Sequence, residues 1–364
     1  MKAFLRPKRI FCSKQVKNKV LKNLHFFDKI VFLFNVLLAF LLLISFVAPY
    51  ISVVHFPYLS VLSLGVPILV LINMLLLFYW TLRRKRQLLL SLLVLSIGYL
   101  CSDSFFMFKI KEEPIVADQL NIMSYNVRGF NKYNWIEDTT VGDQIIDFIK
   151  VENPDILCIQ EFSRIKHGDL KNHFKYHYIS EMRGEKKSLQ AIYSNYPILS
   201  KGSLNFPQSQ NNAIYADIQY QKDTIRVYNL HLESLRVIPS AEVLTQEASS
   251  KLYKRLGNSF GKQQEQADIF RKHCNMAPFK TIVCGDFNNT QFSNVYKVIR
   301  GDMNDSFIEQ GTGYGRTFNF EYYPMRIDFI LADDTIEIKA HKNFNLKLSD
   351  HFPVMVSFDM DDDQ

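Results

Sequence analysis

The chain has 364 residues, 48% hydrophobic and 14% aromatic, which is enough for a sizeable core and more than one structural unit. Residues 1–114 carry 15 Lys and Arg against 4 Asp and Glu, which leaves 28 basic and 32 acidic residues, a net charge of −4, for residues 115–364. The overall net charge of +7 therefore comes from the N-terminal part, and it does not indicate that residues 115–364 bind nucleic acid. The five cysteines match neither a zinc pattern nor a disulfide framework.

Three apolar stretches come first in the chain, at about residues 30–50, 58–80 and 88–108. Each has roughly the 20 residues that an α-helix needs to cross a bilayer. The third stretch carries Asp103 between two serines near its end. We expect residues 1–114 to form a membrane region with three transmembrane helices, so the predicted partner is the lipid bilayer; no protein partner is inferred.

The Lys and Arg residues that flank these stretches indicate an orientation. The N-terminal arm is basic and residues 83–86 read RRKR, whereas residues 49–57 contain no Lys or Arg. With three crossings, the N-terminus lies in the cytoplasm and everything after Phe108 lies outside it, which predicts an integral protein of the cell (inner) membrane. If the third stretch lies only in the interface, the C-terminal part is cytoplasmic instead.

Residues 115–364 have the composition of a globular domain. Strand-like runs recur in it: LNIMSYNV, PDILCIQE, SLQAIYS, NAIYADIQY, DTIRVYNLHL, KTIVCGD, MRIDFILAD and HFPVMVSF. Helical patterning lies between some of these runs, with an amphipathic segment at residues 141–149 and a longer one at 246–273. Buried strands mixed with helices predict α/β or α+β layers.

Eight ionisable or amide side chains adjoin these apolar runs: Asn126, Glu161, His231, Asp286, Asn288, Asp328, Asp350 and His351. Such groups are costly to bury unless they are paired or bound to a cation. Because strands of one sheet can bring their ends together, we expect a single polar pocket. This set suits attack of water on a phosphate ester assisted by a hard divalent cation, with Asn126 and Glu161 as ligands.

The remaining side chains suit the other steps of that chemistry. Asp328 and His351 are the best candidate pair, because a carboxylate can orient and charge a histidine that contacts phosphate or moves a proton. Asp286 is a candidate to orient or deprotonate the water. The Asn288 amide is a candidate to hold a phosphoryl oxygen as charge develops.

Six motifs occur in order between Leu120 and about Phe358: MSYNVRG, LCIQE, YNLHLES, CGDFNN, RIDFIL and SDHFPV. Together they resemble the endonuclease/exonuclease/phosphatase family, which includes deoxyribonuclease I-like nucleases, apurinic endonucleases, inositol polyphosphate 5-phosphatases and neutral sphingomyelinases. The resemblance implies a four-layer α/β sandwich of two sheets and a bound Mg²⁺ or Mn²⁺. It also implies metal-side residues at Asn126, Glu161 and Asp350.

The same resemblance implies five catalytic residues. His231 resembles a phosphate-contacting histidine, and Asp286 and Asn288 match the residues that act on the water and the phosphate. Asp328 resembles the acid that pairs with the last histidine, and His351 the catalytic histidine of the final motif. The expected function is a membrane-tethered, divalent-metal-dependent phosphoesterase acting on a lipid head group or another small phosphoester.

Alternatives stay open at this point. The first alternative is a membrane-tethered endonuclease or exonuclease, although the net charge of the domain does not favour nucleic acid as a substrate. The second is a catalytically silent protein that binds phosphorylated ligands. Singly, each site residue has an ordinary explanation; Asp328, for example, is an ion-pair partner for Arg326.

Other features are less informative. Gln190 stands where the family often has glycine. Some nucleases of the family use a Tyr or Arg opposite the phosphate. In this sequence the nearby candidates for that residue are Arg183, Tyr193 and Arg236. Tyr133 and Trp135 are interpreted as rim packing rather than base stacking.

Overall fold

The computed structural model describes residues 24–53, 56, 59–101, 106–109, 111–116, 118–181, 188–235, 249–320 and 323–360. The described residues form two compact units. The helical unit contains those within 1–44 and 69–100, and the sheet unit contains those within 45–68 and 101–364.

Two apolar helices are long enough to cross a membrane, judged by length and composition. They are α1 (Phe26–Val47), which a short 3-10 turn extends to Tyr50, and α2 (Leu59–Leu82). The third apolar helix, α3 (Leu88–Cys101), has 14 residues. At 1.5 Å per residue it spans roughly 21 Å, which is less than the hydrocarbon core of a bilayer.

The prediction of a third full-length transmembrane helix over residues 88–108 is therefore wrong. Residues 106–109 are not helical, and Met107 forms a β-bridge with Gly313 in the sheet unit. The sequence gives the physical reason, because a Ser-Asp-Ser segment interrupts the apolar run after Cys101.

Buried polar side chains join the three apolar helices within the helical unit. Asn35 of α1 donates a hydrogen bond from Nδ2 to Ser91 Oγ of α3 at 2.7 Å, and its Oδ1 accepts one from Trp80 Nε1 of α2 at 2.9 Å. All three side chains are buried. The shorter helix α3 is thus packed in the same bundle as the two long ones.

Twelve strands form two six-stranded sheets. The first sheet has the order β11-β12-β1-β2-β4-β3 and contains β1 (Leu120–Asn126), β2 (Ile156–Phe162), β3 (Tyr176–Ile179), β4 (Leu189–Ser194), β11 (Glu337–Asn343) and β12 (Val354–Asp359). The second has the order β5-β6-β7-β8-β10-β9 and contains β5 (Ile198–Ser203), β6 (Asn212–Tyr220), β7 (Asp223–His231), β8 (Lys280–Asp286), β9 (Asn304–Asp305) and β10 (Asp328–Ala332).

Helices cover the outer faces of both sheets, as the predicted four-layer α/β sandwich requires. The helices are α4 (Val141–Glu152), α5 (His167–His173), α6 (Ser249–Cys274), α7 (Asn294–Arg300) and α8 (Ser306–Gln310). One apolar core lies between the sheets and includes the fully buried Cys158 and Cys284. A second core lies under α4 and α5, and a third under α6 and α7.

Residues 45–68 lie before the predicted domain boundary at residue 115 yet pack within the sheet unit. Val53 is 1% exposed and belongs to the core beneath α6 and α7. Asn294 Nδ2 donates a hydrogen bond to the Pro49 carbonyl at 2.7 Å, and the Tyr323 hydroxyl donates one to the Leu64 carbonyl at 2.6 Å. The turn between the two long apolar helices is therefore part of this unit.

Candidate active site

Strand register aligns three of the predicted residues in one row of the second sheet. His231 of β7 pairs with Asp286 of β8 in the parallel ladder, and Asp286 pairs with Asp328 of β10 in the antiparallel ladder. The first sheet contributes Asn126, which pairs with Gln160 at the ends of β1 and β2. The polar residues at the strand ends thus converge on one end of the sandwich.

The approach of β7 to β8 at this row requires glycine at position 285. Gly285 has φ of 148°, and a Cβ atom there would lie 2.0 Å from the Leu230 carbonyl oxygen. A residue with a side chain would therefore push the strand of Asp286 away from the strand of His231.

Two site residues have a left-handed backbone, which side-chain-bearing residues other than Asn and Asp seldom adopt. Glu161 has φ of 50° and Asn288 has φ of 49°. The register of β2 against β4 shifts between Ile159 and Phe162, and this bulge re-aims the Glu161 side chain. At Glu161 this backbone conformation costs free energy, which is consistent with a functional constraint on the position of its carboxylate.

Asp286 lies at the centre of the cluster and is 1% exposed. Its Oδ2 accepts hydrogen bonds from Asn126 Nδ2 at 3.0 Å and from Asn288 Nδ2 at 3.3 Å, while its Oδ1 accepts the Asn288 backbone N–H at 2.8 Å. The Nε2 atoms of His231 and His351 each lie 3.6 Å from the same Oδ2. One buried carboxylate thus connects both sheets and both histidines.

His351 is held by Asp328, as predicted. Its Nδ1 lies 2.9 Å from Asp328 Oδ2, and both side chains are buried. Arg326 does not compete for this carboxylate, because Arg326 Nη1 pairs with Asp305 Oδ2 at 2.8 Å. The ordinary ion-pair explanation of Asp328 is therefore wrong.

The surroundings shift the pKa values of the two histidines in opposite directions. Burial, reinforced by the nearby charge of His351, lowers the pKa of His231 to about 4, so its imidazole is neutral. Burial also disfavours the charged form of His351, but the carboxylates of Asp328 and Asp286 outweigh it and raise the pKa of His351 to about 10. The pocket thus holds one neutral and one cationic imidazole.

Two acidic side chains of the cluster, Asp286 and Glu161, have raised pKa values. Burial raises the pKa of Asp286 to about 7, although the His351 charge opposes it. Partial burial in the pocket likewise raises the pKa of Glu161, whose Oε1 lies 3.9 Å from His231 Nε2. A buried carboxyl group with too little positive charge nearby is harder to ionise, so its pKa rises.

The remaining metal-side residue, Asp350, lies at the rim of the cluster. Its Oδ2 forms a salt bridge with Arg128 Nη1 at 3.0 Å, and its Oδ1 accepts a hydrogen bond from Ser349 Oγ at 3.2 Å. Sequence reasoning missed Arg128, although it stands in the MSYNVRG motif. The guanidinium lies 4.3 Å from the ring centre of Trp135.

The sequence candidates for a Tyr or Arg opposite the phosphate do not supply that group. Tyr193 is buried in the core under α4 and α5, where its hydroxyl lies 2.8 Å from His167 Nδ1. Arg183 and Arg236 lie outside the described residues. Of the described cations, Arg128 is the one that pairs with a predicted site residue.

Helix α6 supports the site from the second sheet's outer side. Gln263 donates hydrogen bonds from Nε2 to the Glu233 carbonyl at 2.7 Å and to the Asn288 carbonyl at 3.1 Å. Its Oε1 accepts one from Asn289 Nδ2 at 2.8 Å. This single buried amide therefore connects the turns after β7 and β8; the sequence placed Gln263 on a helix without indicating the role.

The donor set fits a hard divalent cation. Ligand atoms of Asp286, Asp328 and His351 all lie within 4.8 Å of one another. Since Asp328 and His351 already bind each other, the carboxylates of Glu161 and Asp286 are the more available donors, and Asn126 Nδ2 contacts both, at 3.4 and 3.0 Å. Asn126 would turn its amide oxygen toward a cation. Oxygen ligands with unbalanced negative charge suit Mg²⁺ or Mn²⁺.

Comparison with protein families gives two matches. The model of the Endonuclease/Exonuclease/phosphatase family matches residues 123–351, and a model described only as a domain of unknown function matches residues 28–105. A search of curated proteins finds no match.

Solved structures share the fold. Zebrafish TDP2, crystallised with a single-strand DNA product, superposes with a TM-score of 0.52 at 16% identity over 67% of this chain and 100% of that one. The human Nocturnin catalytic domain with bound sulfate gives 0.52 at 13% identity, covering 68% and 96%. A family protein from Bacteroides vulgatus gives 0.50 at 20% identity, covering 67% and 99%.

Proposed function

Because the chain belongs to the endonuclease/exonuclease/phosphatase family, we propose that it is a divalent-metal-dependent phosphoester hydrolase. The observation that carries the proposal is the buried Asp286 carboxylate, which two amides and two histidines surround. A fold gains no stability from burying such a group at raised pKa, so a site that uses it is the simplest explanation.

Glu161, Asn126 and Asp350 would hold the cation on the metal side of the cluster. When bound, the cation would neutralise charge on the phosphate and make water easier to deprotonate.

The chain's own residues supply the proton transfer and charge stabilisation. Asp286, with a pKa of about 7, is suited to accept a proton from the attacking water near neutral pH. His351 remains protonated, so its Nε2 donates to a phosphate oxygen while Asp328 holds Nδ1. Asn288 Nδ2 and the neutral His231 Nε2 lie 3.3 and 3.6 Å from Asp286 Oδ2, and from there they would orient the phosphate.

Hydrolysis of bis(p-nitrophenyl) phosphate tests the proposal directly. We expect turnover in Mg²⁺ or Mn²⁺ that EDTA abolishes, and a loss of at least about 100-fold in kcat for His351→Ala and for Asp286→Ala. Unchanged turnover in both variants would remove these residues from the mechanism.

We propose further that the chain is tethered to a membrane with the sheet unit outside the cytoplasm. Hydrogen bonds from Thr290, Asn294 and Tyr323 to the carbonyls of Ser63, Pro49 and Leu64 support this, since they hold the end of α1 and the start of α2 within the sheet unit. The basic residues flank the opposite helix ends, which favours the cytoplasm for those ends. The orientation requires the 14-residue helix α3 to cross as a short helix, with local thinning of the bilayer, instead of as a full-length span.

A reporter fused to the C-terminus tests the orientation. Alkaline phosphatase activity without fluorescence from a matched green fluorescent protein fusion is the expected result. The reverse pattern would place the sheet unit in the cytoplasm.

For the substrate, we propose a lipid head group or another small phosphoester. Tethering keeps the site near a bilayer, and the net charge of −4 on residues 115–364 does not favour a nucleic-acid backbone. Turnover of phospholipid vesicles should exceed turnover of plasmid DNA. Rapid nicking without lipid cleavage would make the protein a nuclease instead.

A further inference from the structure

A cavity of about 300 Å³ adjoins the candidate active site on the side of Asp350. Arg128, Trp135 and Lys347 line it, together with the apolar side chains of Ile136 and Leu348. Its floor includes Ser349, whose hydroxyl donates to the Asn126 carbonyl at 2.9 Å. The cavity therefore adjoins the site on its metal side, next to Asp350 and the Asn126 backbone.

We propose that this cavity binds the alcohol part of the phosphoester, and that this part is an uncharged or anionic hydroxylated ring, such as a sugar or a cyclitol, rather than a quaternary ammonium head group. The inference rests on the proposed phosphoesterase function and deepens it by naming a substrate class.

The charges around the cavity argue against a cationic head group. Arg128 and Lys347 contribute two positive charges against the single negative charge of Asp350. Arg128 Nη1 already pairs with that carboxylate at 3.0 Å. In the described part of the chain, no carboxylate is within salt-bridge distance of Lys347, which is exposed. A choline group entering here would meet net positive charge at short range.

The indole of Trp135 leads to the same conclusion. Quaternary ammonium groups bind to the open face of an aromatic ring. Here the Arg128 guanidinium lies 4.3 Å from the centre of the Trp135 ring, so a cation already occupies one face. The Trp135 side chain nevertheless remains 57% exposed, which leaves surface for an uncharged ring to pack against.

The size of the cavity favours a single small group. About 300 Å³ is at the lower limit for ligand pockets. It holds one ring with its hydroxyl groups, and hydrogen-bonding neighbours such as Asn319 and Lys347 are at its edge. A nucleic-acid strand would need a longer groove with several stacking side chains.

Fluorescence of Trp135 tests the proposal without relying on turnover. The full chain carrying His351→Ala is titrated with inositol 1-phosphate, phosphocholine and thymidine 5′-monophosphate in the presence of Mg²⁺. Inositol 1-phosphate should change the fluorescence and bind at least about tenfold more tightly than phosphocholine. The change should vanish in Trp135→Phe, which retains only the emission of Trp80.

Substitutions around the cavity give the matched controls. Lys347→Ala should weaken inositol 1-phosphate binding by roughly tenfold, as the loss of one charged hydrogen bond does. The neighbouring exposed residue Lys132 does not line the cavity, so Lys132→Ala should leave binding unchanged.

Three results would overturn the proposal: equal or tighter binding of phosphocholine, tighter binding of the nucleotide, or no saturable signal with any of the three ligands. Because the titration measures binding and not turnover, a failure of the phosphoesterase proposal is detected separately in the hydrolysis assay.

Discussion

At the scale of single residues, the site combines groups whose pKa values are pushed apart. Asp286 and His351 lie 3.6 Å apart; burial raises the pKa of Asp286 to about 7, whereas the carboxylates of Asp328 and Asp286 outweigh burial and raise the pKa of His351 to about 10. His231 has the opposite shift, to about 4. Near pH 7 to 9, the pocket therefore holds a carboxylate able to take a proton next to an imidazolium able to donate a hydrogen bond.

The Asp328→Asn substitution tests this arrangement through pH. Asp328 is the largest source of the raised pKa of His351, so its neutralisation should lower that pKa. In the intact protein, kcat/KM should fall as pH rises through about 10, because His351 then loses its proton; in the variant, this alkaline fall should occur at a lower pH. The profile of kcat/KM from pH 6 to pH 11 measures where this alkaline fall occurs in each protein.

Asp334→Asn is the matched control, because Asp334 is an exposed aspartate in the turn after β10. Its profile should follow that of the intact protein. An alkaline limb that does not move in Asp328→Asn would show that His351 protonation is not what the reaction requires.

The sequence predicted the residues of the site better than it predicted the residues around them. Asp286, His231 and the other six polar groups were visible because each adjoins an apolar run. Arg128 and Trp135 were not assigned, because nothing in the sequence shows that the turn after β1 folds Arg128 back between the indole and Asp350. Such partnerships depend on loop geometry, which a local pattern does not contain.

At the scale of elements, the site depends on how closely two strands approach. Gly285 of β8 faces the Leu230 backbone of β7, with room for a hydrogen atom alone. The row of His231, Asp286 and Asp328 exists because of this contact.

We expect Gly285→Ala to destabilise the protein by about 3 kcal/mol or more, since it adds a clash with backbone to an unfavourable φ. Chemical denaturation followed by circular dichroism measures the loss. Gly261→Ala in α6 is the control, because a Cβ there meets nothing within 4 Å; it should be neutral or stabilising by up to about 1 kcal/mol. Equal stability of the two variants would contradict the close approach.

The strands that the sequence missed are β3, β5, β9 and β11. All four are edge strands: β11 and β3 in the first sheet, β5 and β9 in the second. Edge strands carry polar and exposed residues; β5, for example, exposes its middle three. The hydrophobic alternation that indicates a buried strand is weak there, whereas central strands such as β7 and β8 gave clear signals.

At the scale of the whole molecule, the described residues form an apolar helical unit and a two-sheet unit, and residues 45–68 belong to the two-sheet unit. The composition of the sequence predicts a boundary between the two parts at about residue 115. It did not show that the turn between α1 and α2 contributes Val53 to a core of the sheet unit, since such a contact joins residues more than a hundred positions apart.

Val53→Asp in the full chain tests this contribution. A carboxylate forced into the core under α6 and α7 should lower the stability of the sheet unit by about 3 kcal/mol or more. The thermal unfolding midpoint of the sheet unit measures it. Val116→Asp is the control, since Val116 is 39% exposed. No difference between the two would mean that residues 45–68 do not stabilise the sheets.

The central claim is that side chains from separate strands together hold one cation at which a phosphoester is hydrolysed. Turnover as a function of Mn²⁺ concentration tests it most directly, with Glu161→Gln compared with the exposed control Glu265→Gln. We expect no turnover in excess chelator, a saturable rise with Mn²⁺ in the intact protein and the control, and at least about a tenfold higher metal requirement in Glu161→Gln. Undiminished turnover in chelator, or an identical metal requirement in all three proteins, would contradict the claim.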